Sequence, residues 1–211
     1  MIISSITPQT RNKNRVNISV DGVYRFSLDV YQLVDLNIKI GRECNEAELV
    51  ALEQESEFGK AYSRALEYCL MRPHSVGEIK DYLYRKTKST RNKKGEIKAG
   101  LSSEITVRIL ARLTEKGYVS DEKFARYWVE NRSLTKGSSR RKLISELRSK
   151  GVSSIIIEQV LKDTERDDSQ EIQKIILKKR QRYSDEKKLI AYLARLGFDY
   201  DTIKQALSKE L

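Results

Sequence analysis

The sequence predicts a mainly α-helical fold: tandem, degenerate three-helix repeats in three copies, preceded by a small N-terminal cap that contains a β-hairpin. Three observations carry this. Apolar residues recur at helical spacing in segment after segment. Leu143, Leu147, Gly151, Ile157 and Leu161 return, type for type, 46 positions later as Leu189, Leu193, Gly197, Ile203 and Leu207. Further upstream, Arg72, Ile79 and Leu83 stand where Arg132, Leu143 and Leu147 stand, at offsets of 60 to 64. Repeats of this size mark helical arrays in which neighbours bury each other's apolar faces, and the unequal offsets make this one degenerate. The predicted divisions are a cap over 1–44, a first repeat over 45–119 with a basic insertion at 85–101, a second over 120–165 and a third over 166–211.

In the cap, Val16, Ile18 and Val20 alternate before Asp21-Gly22, and Tyr24, Phe26 and Leu28 alternate after it. A two-residue loop would pair Val20 with Val23 and send the two apolar sets to opposite faces. A three-residue loop with Gly22 left-handed pairs Ile18 with Tyr24 and Val16 with Phe26, puts all six on one face, and is therefore predicted. Residues 29–36 read as a short helix and 37–44 as an extended link. Asn45 with Glu48 is a capping-box pattern into a long helix. Its apolar stripe is Leu49, Leu52, Ala61, Ala65, Leu66, Cys69 and Leu70, and Pro73 ends it.

Ser75 with Glu78 repeats the capping pattern, with Ile79, Tyr82 and Leu83 facing inward. Residues 85–98 carry seven Lys/Arg and one Glu with almost nothing apolar. A flexible basic loop is expected there, either a tolerated surface insertion or an electrostatic contact to phosphate. A helix over 103–116 closes the first repeat.

In the second repeat Ser120 caps a helix whose first turn holds Asp121 and Glu122, where the helix dipole favours negative charge. Phe124, Ala125, Trp128 and Val129 form its inner face, and Trp128 is expected in the core rather than as a stacking platform. Gly137, Ser138 and Ser139 break the run. Leu143, Ile144 and Leu147 face inward on the next helix, which Gly151 ends. Ser153 or Ser154 opens a third, with Ile156, Ile157, Val160 and Leu161 inside. Residues 163–169 read as a polar link, with Asp167 and Asp168 solvated. Ile172, Ile175 and Ile176 begin the last repeat, followed by a basic run.

The 211 residues carry a formal net charge of +11. Residues 1–60 hold 7 Lys/Arg against 9 Asp/Glu, and the remainder 34 against 21. A basic helical array suits a nucleic-acid or otherwise acidic partner, although a soluble basic protein with no such partner has the same composition. Cys44 and Cys69 have no metal or redox spacing, and Cys69 falls on an apolar helix face. No glycine-rich phosphate loop or zinc-ligand pattern occurs, so no cofactor, metal or enzymatic activity is expected. His74, in an Arg-Pro-His-Ser bend, is read as structural or solvated. No signal peptide or long apolar run is seen, which predicts an intracellular, cytoplasmic protein without a membrane. The helices that could serve as recognition helices start Ser153-Ser154-Ile155-Ile156-Ile157 and Asp199-Tyr200-Asp201-Thr202. Those starts are apolar or acidic and unsuited to reading base edges, so phosphate or protein contact fits better.

The chain resembles the RecX family, regulators of the RecA recombinase. The resemblance is carried by Gly117-Tyr118-Val119-Ser120-Asp121, then Phe124-Ala125 and Arg132, followed by Gly137, Leu147 and Lys150-Gly151-Val152. Arg72-Pro73-His74-Ser75 with Glu78 and Leu83 resembles the same pattern in the first repeat. The N-terminal hairpin and Ser27-Leu28-Asp29 look like an extension some members carry, and the insertion at 86–101 is longer than the usual linker. The resemblance implies tandem three-helix repeats and a non-enzymatic modulator lying in the groove of the RecA–single-stranded DNA filament, most simply as a monomer. The alternative is a basic helical-repeat nucleic-acid-binding protein acting without RecA.

Candidate contact residues are Arg72, Arg85, Lys86, Lys88, Arg91, Lys93 and Lys94 in the first repeat. Arg132, Arg140, Arg141 and Arg148 in the second and Lys179, Arg180 and Arg182 in the third complete the set. On the helical wheel Arg141 and Arg148 lie side by side just past the buried arc set by Leu143, Ile144 and Leu147. Lys142, Glu146 and Lys150 lie toward the other side at i, i+4 spacing, where they are expected to pair with one another.

Overall fold

The computed structural model describes residues 1–91, 95–135, 137–164, 167–183 and 185–208, with the backbone alone for 133–135. The chain forms two compact units, Met1–Met71 with Leu83–Glu115, and Arg72–Tyr82 with Lys116–Leu211.

The first unit is built on an antiparallel sheet in the order β1 (Ile3–Pro8), β2 (Arg15–Val20), β3 (Val23–Asp29). Val20 pairs with Val23, so the hairpin loop has two residues and not the three expected. Asp21 and Gly22 both have positive φ, 49° and 86°, which a two-residue turn of this hand requires. The register then slips between Ile18 and Ser19, so that Ile18 faces Phe26 and Val16 faces Leu28. This bulge does what the longer loop was expected to do. Val16, Ile18, Val20, Phe26 and Leu28 are all buried together, while Tyr24 is left 55% exposed. The strand β1 has no counterpart in the sequence reading; it adds Ile3 and part of Ile6 to the same core.

Helix α1 (Val30–Asp35) starts with a full capping box between Asp29 and Gln32. In the link before α2 (Glu46–Met71), Ile38 and Cys44 turn into the core. Asn45 and Glu48 cap α2 reciprocally at 2.9 and 2.8 Å. Leu49, Leu52, Ala65 and Cys69 are buried as expected, but Leu70 is exposed, and Phe58 and Ser56 are buried in the middle of the helix. Ser56 Oγ donates to the Ser27 carbonyl at 2.6 Å, the same oxygen that Arg15 Nη2 reaches at 2.7 Å, and so ties α2 to the sheet. Helix α4 (Ser103–Glu115) buries Ile105, Ile109 and Leu113. Its Arg108 pairs with Glu55 and lies 4.0 Å over the Phe58 ring.

The segment 85–98 is not a loop throughout. Helix α3 (Val76–Thr87) takes in Arg85 and Lys86, and β4 (Thr90–Arg91) pairs with β5 (Ile97–Lys98). Backbone pairing supplies the order that the exposed side chains do not. Lys93 and Lys94 lie outside the described residues.

In the second unit α5 (Asp121–Thr135), α6 (Arg140–Ser149) and α7 (Ser154–Asp163) enclose Phe124, Ala125, Val129, Leu143, Leu147, Ile157, Val160 and Leu161. Helices α8 (Asp168–Lys179), α9 (Glu186–Arg195) and α10 (Tyr200–Ser208) do the same around Ile172, Ile176, Leu189, Leu193 and Ile203. Gly151 and Gly197 both have positive φ after the middle helix of their repeat. A Cβ at Gly197 would lie 2.5 Å from Ser139 Oγ, so this turn is also a close approach to α6.

The same joint occurs twice. The first backbone N–H of α3, at Val76, is accepted by Asp121 at the start of α5, while Ser75 Oγ donates to the Lys150 carbonyl at the end of α6. The first N–H of α6, at Arg140, is accepted by Asp168 at the start of α8, while the Ser139 N–H donates to the Leu196 carbonyl at the end of α9. Asp167 caps α8 through the Ser169 N–H. The two aspartates expected in a solvated link are therefore helix caps.

Candidate partner-contact surface

Two of the predicted contact arginines are held by carboxylates of their own unit. Arg72 makes a bidentate pair with Glu78 at 2.9 and 3.1 Å, with its guanidinium 5.9 Å from the Phe124 ring centre. Glu78 also meets His74 Nδ1 at 3.0 Å and Lys150 Nζ at 2.9 Å. Burial works to raise the Glu78 carboxyl, but the hydrogen bonds and charges of Arg72 and Lys150 outweigh it and hold the group at about 2. The Ser75–Glu78 pattern is thus half a capping box. Ser75 Oγ accepts the Glu78 N–H, and the Glu78 carboxylate turns to the cations. His74 is buried in this hub.

Arg132 repeats the arrangement with Glu146, at 2.9 and 3.0 Å, and Glu146 also accepts the Trp128 indole N–H at 2.9 Å. Arg132 and Lys150 lie 4.9 and 5.5 Å from the Trp128 ring centre. Trp128 packs against the core as expected, tilted against Phe124, although it lies only half-buried. The expected pairing of Lys142, Glu146 and Lys150 among themselves does not occur. Glu146 goes to Arg132 and Trp128, Lys150 to Glu78, and Lys142 Nζ donates to the Arg195 carbonyl. Interactions between elements took precedence over i, i+4 pairs worth only a few tenths of a kcal/mol.

The remaining cations are more open. Arg141 and Arg148 are exposed on α6, with Arg148 Nη2 3.3 Å from Ser154 Oγ. Arg140 is half-buried and reaches the Leu161 carbonyl at 3.4 Å. In the first unit Arg85, Lys86, Lys88 and Arg91 are exposed, and Lys88 sits 5.0 Å from the Tyr84 ring centre. In the second, Arg180 caps the end of α8. Lys179 and Arg182 line a cleft of about 600 Å³ together with Arg132 and Glu146. Lys142, Arg195, Tyr183 and Tyr192 also line it, and nothing in the sequence pattern marks these four as contact residues. Among the described residues no group of His, Cys, Asp and Glu could hold a metal ion, and no helix is long and apolar enough to cross a membrane.

Two family models match the chain: the RecX N-terminal domain over residues 1–45 and the second three-helix domain of RecX over 120–161. The regulatory protein RecX of Bacillus pumilus is 32% identical over 215 residues, covering 98% of this chain and 76% of the relative. The chain belongs to the RecX family. The RecX of Bacillus subtilis is 28% identical over 98% of this chain and 76% of its own length. A crystal structure of regulatory protein RecX matches with a TM-score of 0.73 at 23% identity, covering 98% of both chains. RecX from Lactobacillus salivarius matches with a TM-score of 0.54 over 72% of this chain and 95% of that one. The RecX fold, mostly helical with a small N-terminal sheet, is therefore shared along nearly the whole chain, and its relatives are regulatory proteins by name.

Proposed function

We propose that this protein binds the RecA–single-stranded DNA filament and limits its growth or activity, catalysing nothing itself and acting as a cytoplasmic monomer. Membership of the RecX family along 98% of the chain carries the reading. The exposed cations of α3 and α6 support it, since a filament of protein on DNA presents carboxylates and phosphates. We place the repeats at 45–119, 120–165 and 166–211, with the cap ahead of them. The test is RecA's DNA-dependent ATPase, which should fall when the protein is added below equimolar amounts. Unchanged ATPase and strand exchange at several-fold excess would refute the reading.

A further inference from the structure

The cleft between α5, α6, α8 and α9 combines three features seldom found together on a surface meant only for water. Its charge is one-sided. Arg132, Lys142, Lys179, Arg182 and Arg195 face it, and among the described lining residues Glu146 is the one carboxylate. Glu146 is already bound bidentately by Arg132, so the other four cations are left with their charge unmatched there. Its walls are joined. Lys142 Nζ donates to the Arg195 carbonyl at 2.5 Å, and Ser139 N–H to the Leu196 carbonyl at 2.9 Å. Cations are therefore held on a preformed frame, where their repulsion has been accepted before any ligand arrives. Its lining includes an aromatic pair. Tyr183 and Tyr192 stack at 5.0 Å with their planes 23° apart, both half-buried and both lining the cleft. Burial raises the Tyr192 phenol and Tyr183 adds to this, while the charges of Arg182 and Arg195 oppose it.

We propose that this cleft seats a nucleotide of a single nucleic-acid strand, its base stacked on the Tyr183–Tyr192 pair and its phosphates against Lys179, Arg182 and Arg195. The volume lies within the roughly 300–1,000 Å³ of ligand-sized sites. An acidic peptide would satisfy the cations but would leave the paired rings without a flat partner, whereas every base offers one. Duplex DNA keeps its bases stacked and could offer only phosphates. The inference deepens the reading above by naming where the protein meets the strand, yet it can be tested without RecA.

The experiment uses the whole protein and a short fluorescent oligothymidylate, read by anisotropy across a salt series. Arg182→Gln with Arg195→Gln should weaken binding at least tenfold at low salt. It should also flatten the dependence of log affinity on log salt by about one to two, at roughly 0.7 for each phosphate no longer neutralised. Tyr183→Ala should weaken binding about tenfold or more with the salt slope kept, since stacking releases no counterions. Tyr183→Phe keeps the ring and should bind as wild type, which separates loss of stacking from loss of fold. Excess deoxythymidine monophosphate should displace the strand poorly. Wild-type affinity in the folded arginine double variant would overturn the site. A Tyr183→Ala variant that binds normally, or displacement by polyglutamate as effective as by unlabelled oligothymidylate, would overturn the stacked base. Equal displacement by the monophosphate would overturn the strand. None of these outcomes depends on the ATPase result.

Discussion

The Asp168 carboxylate accepts the backbone N–H of Arg140 at 2.9 Å and so closes the first turn of a helix in the preceding repeat. Asp121 does the same for Val76 at 2.8 Å. The opening N–H groups of a helix have no partner within it, and here a neighbouring repeat supplies one. Asp168→Ala should lower stability by about 1–2 kcal/mol, the usual cost of removing a cap, seen as a lower urea midpoint. Asp168→Asn should recover part of this because its amide oxygen still accepts. Midpoints equal to wild type in both variants would mean that solvent serves α6 as well as Asp168 does.

Glu78 joins Arg72, His74 and Lys150, so its charge state is coupled to folding. Its folded value of about 2 lies below the 4.5 of the free side chain. The hub therefore stabilises the fold in full above about pH 4.5, and that contribution fades as pH falls toward 2. Glu78→Gln should cost about 2 kcal/mol at neutral pH. This is less than the roughly 3–5 kcal/mol of a fully buried pair, because Arg72 and Lys150 are 32% and 36% exposed. The gap between variant and wild-type denaturation midpoints should close between pH 4.5 and 2; a gap constant over that range would show the charge is not what Glu78 contributes.

Trp128 contributes both packing and a hydrogen bond. Trp128→Phe keeps the packing on Phe124 but removes the indole donor to Glu146, and should cost about 1 kcal/mol. Trp128→Ala also removes the ring that Arg132 and Lys150 cover, and should cost about 3 kcal/mol. Thermal melts of the two variants check the order; equal losses would assign the whole effect to the hydrogen bond.

The repeats are legible in the sequence because Leu143 and Leu147, and Leu189 and Leu193, obey a period set by helix geometry. The Glu78 hub is not, because Lys150 is far away in sequence and nothing local to Glu78 points to it. Asp168 reads as a surface acid until the Arg140 N–H is placed beside it. The hairpin loop is misjudged because a bulge at Arg25 is invisible to an alternation count, and β1 is missed because Ile3 and Ile6 do not alternate. The cleft escapes for a similar reason. Tyr183 and Tyr192 sit on different segments, and their stacking appears only when α8 and α9 pack.

The basic hairpin after α3 should add affinity and little stability. Thr90, Arg91, Ile97 and Lys98 are all exposed, so β4 and β5 bury no side chain of consequence. Replacing residues 88–98 by a Gly/Ser link removes Lys88, Arg91 and Lys98 among other cations. The melting temperature should stay near wild type, and the salt dependence of filament binding should flatten. A large fall in melting temperature would show that the hairpin supports the fold.

Arg141 and Arg148 test the outward face of α6. Leu143 and Leu147 are fully buried, which fixes the inward side, and both arginines are exposed beyond it. Lys142, Glu146 and Lys150 are committed to partners in the unit, whereas the weak 3.3 Å hydrogen bond to Ser154 leaves Arg148 able to turn outward. Arg141→Glu with Arg148→Glu should weaken binding to the RecA filament at least tenfold, about 1.4 kcal/mol. Helicity and melting should hardly move, because exposed charges away from caps and cores seldom cost more than about 0.5 kcal/mol. The double variant should still bind bare oligothymidylate more nearly as wild type, since neither arginine lines the cleft. A folded double variant that suppresses RecA as well as wild type would remove this face from the contact surface.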